Sequence, residues 1–467
     1  MNRVVKWMIL SPLLLAWVLL LLLVVLWSAS RLMTPTAADR AALALLQAPV
    51  PTDGSNAFAR LWLLDYDIPT ADRDGVAAQD AQRLRDALTA DPAELSPALP
   101  QDSSAHGHYP QVTVDAEAVA WCGLREGDCL AHVRAHREAL AARLAQEASL
   151  LQRVRSLAGY GYVRSEFPPS LDTPLPPLRQ LAISPTRSAL DFVAGNPSAA
   201  FRASCTDVST WRRLASNSDN LVVSMVGMAL LDANARLLAQ MLAERPLAEP
   251  LPAACRAAFD PALPPLDLCM AMQGEAASMF ALLDRLDAAP RRLTEGAWYG
   301  LTTDVMRTKA RMARSYVPAC QTRTRELLAR DAPLPPVREF EPVDIFGLDC
   351  IGNAAGCVLA GMSAPNQSKY LLRLQDTQAR LRLTGLLLDL SAQAAGPAPA
   401  PTALAAAIAA IAAQPPHLRA IAFDVAGGQL QIGLRDTSKG ALWSVPLPAT
   451  HLAHPAAAAP AAAVVAD

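Results

Sequence analysis

Lysine is nearly missing from this chain. Lys6, Lys309, Lys369 and Lys439 are the only four, so almost every cation is an arginine. Aromatic residues are few, at 5%, and the formal net charge is −2. With a pI near 6.4, no electrostatic case exists for nucleic acid or an anionic surface as partner. The short motifs of common chemistries are absent too: there is no Walker A loop, HExxH, GxSxG, SxxK or EF-hand loop. No C-x2-C knuckle occurs, which removes the usual zinc frameworks. The arginine and alanine bias reads as the mark of a GC-rich bacterial genome and says nothing about function.

What is present begins with a long apolar run. Residues 7–27, WMILSPLLLAWVLLLLLVVLW, carry no charge and match the ~20 residues needed to cross ~30 Å of hydrocarbon. A Trp stands at each end, where indoles prefer the headgroup level, and Pro12 falls in the first turns, where a lost backbone bond costs least. Arg3 and Lys6 precede the run, so residues 1–6 are expected in the cytoplasm and everything after 27 in the periplasm of a bacterial inner-membrane, single-pass protein. Arg31 and Arg40 weaken that asymmetry a little. Ser28-Ala29-Ser30 offers a signal-peptidase site, but the run exceeds the ~7–15 residues of a signal-peptide core, so an uncleaved anchor is expected. No cysteine lies near residue 30, which excludes a lipoprotein site.

All 8 cysteines lie beyond the run, and an even number in an oxidising compartment suits disulfides. Short loops close most readily, so Cys122 with Cys129 and Cys350 with Cys357 are expected as local rings. Gly123, Gly127, Gly352 and Gly356 should give those rings their flexible backbone. Of the three arrangements left, Cys255–Cys269 with Cys205–Cys320 is favoured, because the first would clamp the proline-rich stretch 261–265 between two helices.

The fold class expected for the rest is mainly α. Thr36 can cap a helix over 37–47, and Phe58, Leu61, Trp62 and Leu64 fall at helical spacing in 56–67. The longest candidate runs from an Asp128 N-cap to 158, with Leu130, Val133, Leu140, Leu144, Leu151, Val154 and Leu157 as one stripe. Further helices are expected at 206–215, 220–243, 266–286, 303–315, 321–329 and 368–395; the apolar run 221–231 is too short to span a bilayer and reads as buried core. Between them the phrase DTPLPPLR at 172–179 returns as DAPLPPVR at 331–338, with a weaker relative at 261–266. These are stiff polyproline-like connectors, preferred over P-x-x-P ligands for an SH3 domain.

A disulfide-stapled helical domain is thus expected over 32–395, followed by a linker at 396–401 and a small α+β unit at 402–449. That unit comprises a helix at 402–413 and a three-stranded meander at 420–425, 429–434 and 441–447. A disordered Pro/Ala-rich tail, 450–467, ends the chain.

Candidate chemistry is thin. His106 and His108 in a loop, with His132 and His136 one turn apart on the long helix, are the only ligand-type cluster. Arg134 and Arg137 crowd it, so solvated histidines are preferred to a metal site, and no cofactor is expected. Asp65 and Asp67 are the best carboxylate pair, preferred as turn formers before Pro69. Ser224 sits in an apolar helix, where its hydroxyl is expected to bond back to that helix. Gly159-Tyr160-Gly161 is only a fragment of a dinucleotide fingerprint and carries no weight.

The stretches NAFARLWLLDYDIP, WCGLREGDCLAHVR and TWRRLASNSDNLVVSMVG together resemble those of a group of uncharacterised single-pass envelope proteins of GC-rich gammaproteobacteria. The resemblance covers most of the exported region and implies the same layout. No activity is known for that group, so no catalytic residue is carried over. The expected function is that of a membrane-anchored interaction protein with a protein partner in the envelope, and no nucleic acid. A periplasmic hydrolase would need a pocket joining Asp65, Asp67 or the histidines. A ligand sensor is disfavoured, because only a handful of residues precede the anchor.

Overall fold

The computed structural model describes residues 3–90, 98–112, 118–124, 127–244, 252–288, 293–335, 344–362, 367–393, 419–424 and 427–447. Helix α1, Arg3–Arg31, carries no charge over 7–30, and every large side chain from Leu13 to Val25 is more than half exposed. It is long and apolar enough to cross a bilayer. Its last turn is built into the body that follows.

Helix α2, Ala37–Gln47, starts with a capping box: Thr36 Oγ1 accepts from the Asp39 amide and the Asp39 carboxylate accepts from the Thr36 amide. The expected helix at 56–67 shrinks to α3, Phe58–Trp62, because Leu63 turns the chain and Tyr66 then pairs with Gln111 as an isolated bridge. Phe58 and Trp62 meet the edge of Phe167, with ring centroids 4.8 and 4.9 Å apart. Helix α4, Thr70–Ala90, escapes hydrophobic-periodicity reasoning because its inner face is Ala77, Ala81 and Leu84 beside the buried polar Arg73 and Asp80. Asp80 is occupied by Trp62 Nε1, the Ser103 hydroxyl and the Ser104 amide, so it ties the 103–109 turn to α3 and α4.

The single long helix expected from Asp128 is three: α5, Cys129–Ala135, α6, Arg137–Gln146, and α7, Ala148–Ser156. The backbone bends at His136 and Glu147, yet each keeps its amide bond to the carbonyl four residues back, at 3.2 and 2.9 Å. The apolar stripe therefore stays on one buried face while the rod curves around the core. Asp128 caps α5 as expected, accepting from the Ala131 amide.

Helices α8, Ile183–Val193, α9, Pro197–Ser216, and α10, Leu221–Glu244, form the centre. Proline opens α9 at its first turn, where no amide is lost. Helix α10 is long and apolar, but the chain folds over it, and it is the buried core expected of residues 221–231. Around it stand α11, Ala253–Ala258, α12, Cys269–Ala288, α13, Leu293–Thr302, α14, Val305–Tyr316, α15, Thr322–Ala329, α16, Ala354–Met362, and α17, Gln367–Gln393. Asp39 reaches across to α14, where the Arg314 guanidinium holds its carboxyl down to about 2.

Four disulfides join the chain, and two pairings differ from expectation. Cys122–Cys129 and Cys350–Cys357 are the local rings. The expected Cys255–Cys269 and Cys205–Cys320 are replaced by Cys205–Cys255 and Cys269–Cys320. The reason is packing: α11 lies along α9, and the start of α12 lies on the 3-10 turn Val317–Cys320. Residues 256–268 thus lead from one bridged pair to the other instead of being clamped. The glycines of the second ring also play another part. A Cβ on Gly356 would sit 2.0 Å from Thr308 Oγ1, so this glycine permits close helix packing, and residues 351–357 are helical.

Strands β1, Ile421–Asp424, β2, Gln429–Gly433, and β3, Leu442–Pro446, form the expected antiparallel meander in order β1-β2-β3. Phe423 pairs with Leu430, and Leu430 with Val445; Ile432 pairs with Trp443. Leu430, Ile432, Trp443 and Val445 are buried and join the same core as the helices. Arg419 leads into β1 and locks it down. Its guanidinium holds Asp331 at 2.8 Å and Asp376 at 2.6 Å, and donates to the carbonyls of Gly433 and Gln375. The expected linker at 396–401, the helix at 402–413 and the tail at 450–467 fall outside the described residues.

Candidate functional site

A groove of about 610 Å³ lies beside α6 and α7. It exists because two distant segments pair. The Asp67 amide donates to Pro110 and the Val112 amide donates to Asp65, laying 110–112 along 65–67 as one wall. Ala139, Ala142, Arg143 and Gln146 on α6 form the other, with Glu147, Ser149 and Arg153 beyond.

The charges in the groove are spent on each other. Arg143 and Glu147 pair at 2.9 Å, and the guanidinium also lies over the Trp121 ring at 3.8 Å. Arg153 is 7% exposed and donates to Asp67 at 3.2 Å and to the Leu64 carbonyl at 2.8 Å. Burial lowers the pKa of Arg153, an effect opposed by Asp67. Burial likewise raises Asp65, against a Gln180 hydrogen bond and the charges of Arg179 and Arg153. Asp65 stands behind the wall, and Asp67, 61% exposed at its side chain, is the one aspartate lining the groove among the described residues.

None of the four histidines lines it. His132 and His136 stack at 5.1 Å on α5, but His132 Nε2 is engaged by the Ala120 carbonyl at 2.9 Å. His106 and His108 belong to the turn tied to Asp80, on the far side of the α3–α4 packing. No three His, Cys, Asp or Glu side chains gather to hold a metal among the described residues. Ser224 is buried on α10, and its hydroxyl makes no hydrogen bond, so it does not bond back to its helix. Of the residues a hydrolase could draw on, Asp67 lines the groove, Asp65 stands behind its wall, and the four histidines lie outside it.

Arg143, Glu147 and Arg153 were missed as site residues. Arg143 and Glu147 were visible only as an i, i+4 pair on a polar helix face, a pattern shared by most surface helices. Two of the stretches noted for their resemblance to envelope proteins, 56–69 and 210–227, prove to be scaffold. Asn56 exchanges hydrogen bonds with the backbone of Arg164, Arg213 donates to the carbonyls of Tyr160 and Ala158, and Asp219 accepts from the Ser165 amide. All close on the segment 158–165, where Gly161 lets the carbonyl of Asp53 lie against the backbone; a Cβ there would be 1.7 Å from that oxygen. That contact is the reason for the glycine.

No family model matches the chain, and neither a curated protein nor a solved structure shows significant similarity to it.

Proposed function

We propose that this is a single-pass protein of the bacterial inner membrane, with its N-terminus cytoplasmic and its disulfide-stapled body in the periplasm, and that it serves as an interaction factor for envelope assembly. One observation carries the anchored reading: the foot of α1 is part of the fold. Trp27 Nε1 donates to Leu301 O at 2.9 Å, Arg31 donates to Thr303 O and Gly352 O, and Arg307 donates to Ser30 O at 2.7 Å. The Ser30 hydroxyl accepts from the Gly352 amide. A signal peptide is removed from a mature protein, but cleavage at residues 28–30 would cut through these bonds. The interaction reading draws on a groove whose charges are mutually paired, which suits a surface that packs against a neighbour better than a reacting centre.

The test has two parts. A reporter active only in the periplasm, fused after Pro448, gives activity, and the chain stays in membranes through a carbonate wash. Recovery of a soluble protein starting near Arg31 refutes the anchor. Extracted in mild detergent, the chain migrates as a defined complex larger than itself. Migration as a bare monomer from membranes at native expression refutes the interaction role.

A further inference from the structure

Beyond Val25, sixteen large apolar side chains are exposed among the described residues, and ten of them come from three short stretches, 32–33, 298–306 and 345–362. These stretches are far apart in sequence. They converge because each lies next to a residue that grips the foot of α1. Trp298, 70% exposed, is one turn before Leu301, which accepts from Trp27. Met306, 59% exposed, precedes Arg307, which holds Ser30. Phe346, 82% exposed, precedes Asp349, whose carbonyl accepts from Arg307. Met362, 73% exposed, ends α16, which packs on α13 and α14 and follows the Gly352 turn that binds Ser30 and Arg31. Leu32, 82% exposed, continues α1 itself.

Exposed patches of this kind mark an interaction site, and here the neighbour is indicated by continuity. The collar flanks the end of the apolar helix α1, beside Trp27, an indole whose preferred position is the headgroup region. Helix α13 carries the exposed Trp298 one turn before the carbonyl that Trp27 binds, and α16 is a short apolar helix too short to span a membrane. We propose that this collar, formed by α13, the first turn of α14, residues 345–348 and α16, sits in the outer face of the bilayer. The protein thereby contacts lipid through a monotopic surface as well as through α1. This inference rests on the anchored reading above. The body is then not a bead on a tether: it lies down on the membrane with the collar sunk ~5–10 Å into the headgroup boundary.

The experiment uses the full chain in liposomes of phosphatidylethanolamine and phosphatidylglycerol, and in native membranes. A photoreactive phenylalanine derivative is placed singly at position 346, 362, 20 or 442. Positions 346 and 362 probe the collar, 20 probes the anchor, and 442 is an exposed apolar site on the sheet edge. Phospholipid adducts form at 20, 346 and 362, with the collar yields about tenfold above that at 442. Lipid adducts at 20 with none at 346 and 362 overturn the collar and leave the anchor standing. No adduct at 20 overturns the anchor, and the collar with it. Adducts to another protein at 346 and 362, or equal lipid yields at 442, also overturn the proposal.

Discussion

Asp207 offers the sharpest test of how this core is built. It lies on α9, buried against α8, with the Ser184 hydroxyl as hydrogen-bond partner. Burial raises its pKa from 3.8 to about 6; the Ser184 bond and, less strongly, the charge of Arg155 work the other way. The sign of the consequence follows. Below the unfolded value both states hold the proton, and the carboxyl costs nothing. Between 3.8 and about 6 the folded chain keeps a proton that the unfolded chain has lost, so stability falls as pH rises. Above about 6 the penalty is complete, at about 3 kcal/mol on the scale of 1.36 kcal/mol per pH unit. Asp207→Asn keeps the shape and an oxygen to accept from Ser184, and it cannot ionise.

Thermal melts of the full chain and of this variant in the same detergent, compared at each pH, cancel every other titrating group. The two melt together near pH 4, and the variant melts higher by about 3 °C at pH 8. A difference that is the same at both pH values refutes the reasoning, as does a variant that melts lower at pH 8.

Three further expectations can be checked together. Replacing Cys205 and Cys255, or Cys269 and Cys320, by Ala removes a loop of separation 50 or 51 and costs about 4 kcal/mol, against about 2.5 for either local ring, measurable as an ordered series of urea midpoints. Arg419→Met leaves Asp376 buried without its cation and Asp331 with only the longer contacts to Arg382 and Arg435, and loosens the sheet, costing about 3 kcal/mol; the readout is fast amide exchange in β1–β3 while α10 stays protected. Gly274→Ala would place a Cβ 1.7 Å from the Asp219 carbonyl oxygen, so α12 must move and the midpoint falls by about 1–3 kcal/mol, whereas Gly300→Ala, with open space around it, changes little.

Local chemistry was legible in the sequence wherever one residue answers to the backbone beside it. Thr36 and Asp128 cap as read, because a cap needs only the next turn. The meander was legible for the same reason: Gly428 at φ +60 and Gly440 at φ +113 occupy turns that the side chains of their neighbours would resist. Helices α4 and α8 were not legible. The first hides its inner face in alanine, and the second buries Ser184, Thr186 and Ser188 among its apolar residues, so neither shows a clean stripe. The two long disulfides and the groove wall were beyond reach on other grounds. Each depends on which helix lies beside which, and no spacing encodes that. The resemblance to envelope proteins implied the layout and was silent on the site.

The disulfide connectivity has a meaning in time as well as in space. Every cysteine is bonded to its immediate neighbour in the cysteine order: 122 with 129, 205 with 255, 269 with 320, 350 with 357. On the proposed topology the residues after α1 cross the membrane in chain order and present their thiols to the oxidant in that same order. An oxidant that simply joins each emerging thiol to the one before it, starting from the first, generates the native set. The nested arrangement, with 205 waiting for 320 while 255 and 269 pass, would leave a thiol idle until residue 320 had followed, open to wrong partners that must later be reshuffled. On the proposed reading of an exported body, this connectivity calls for a disulfide oxidase and not for an isomerase.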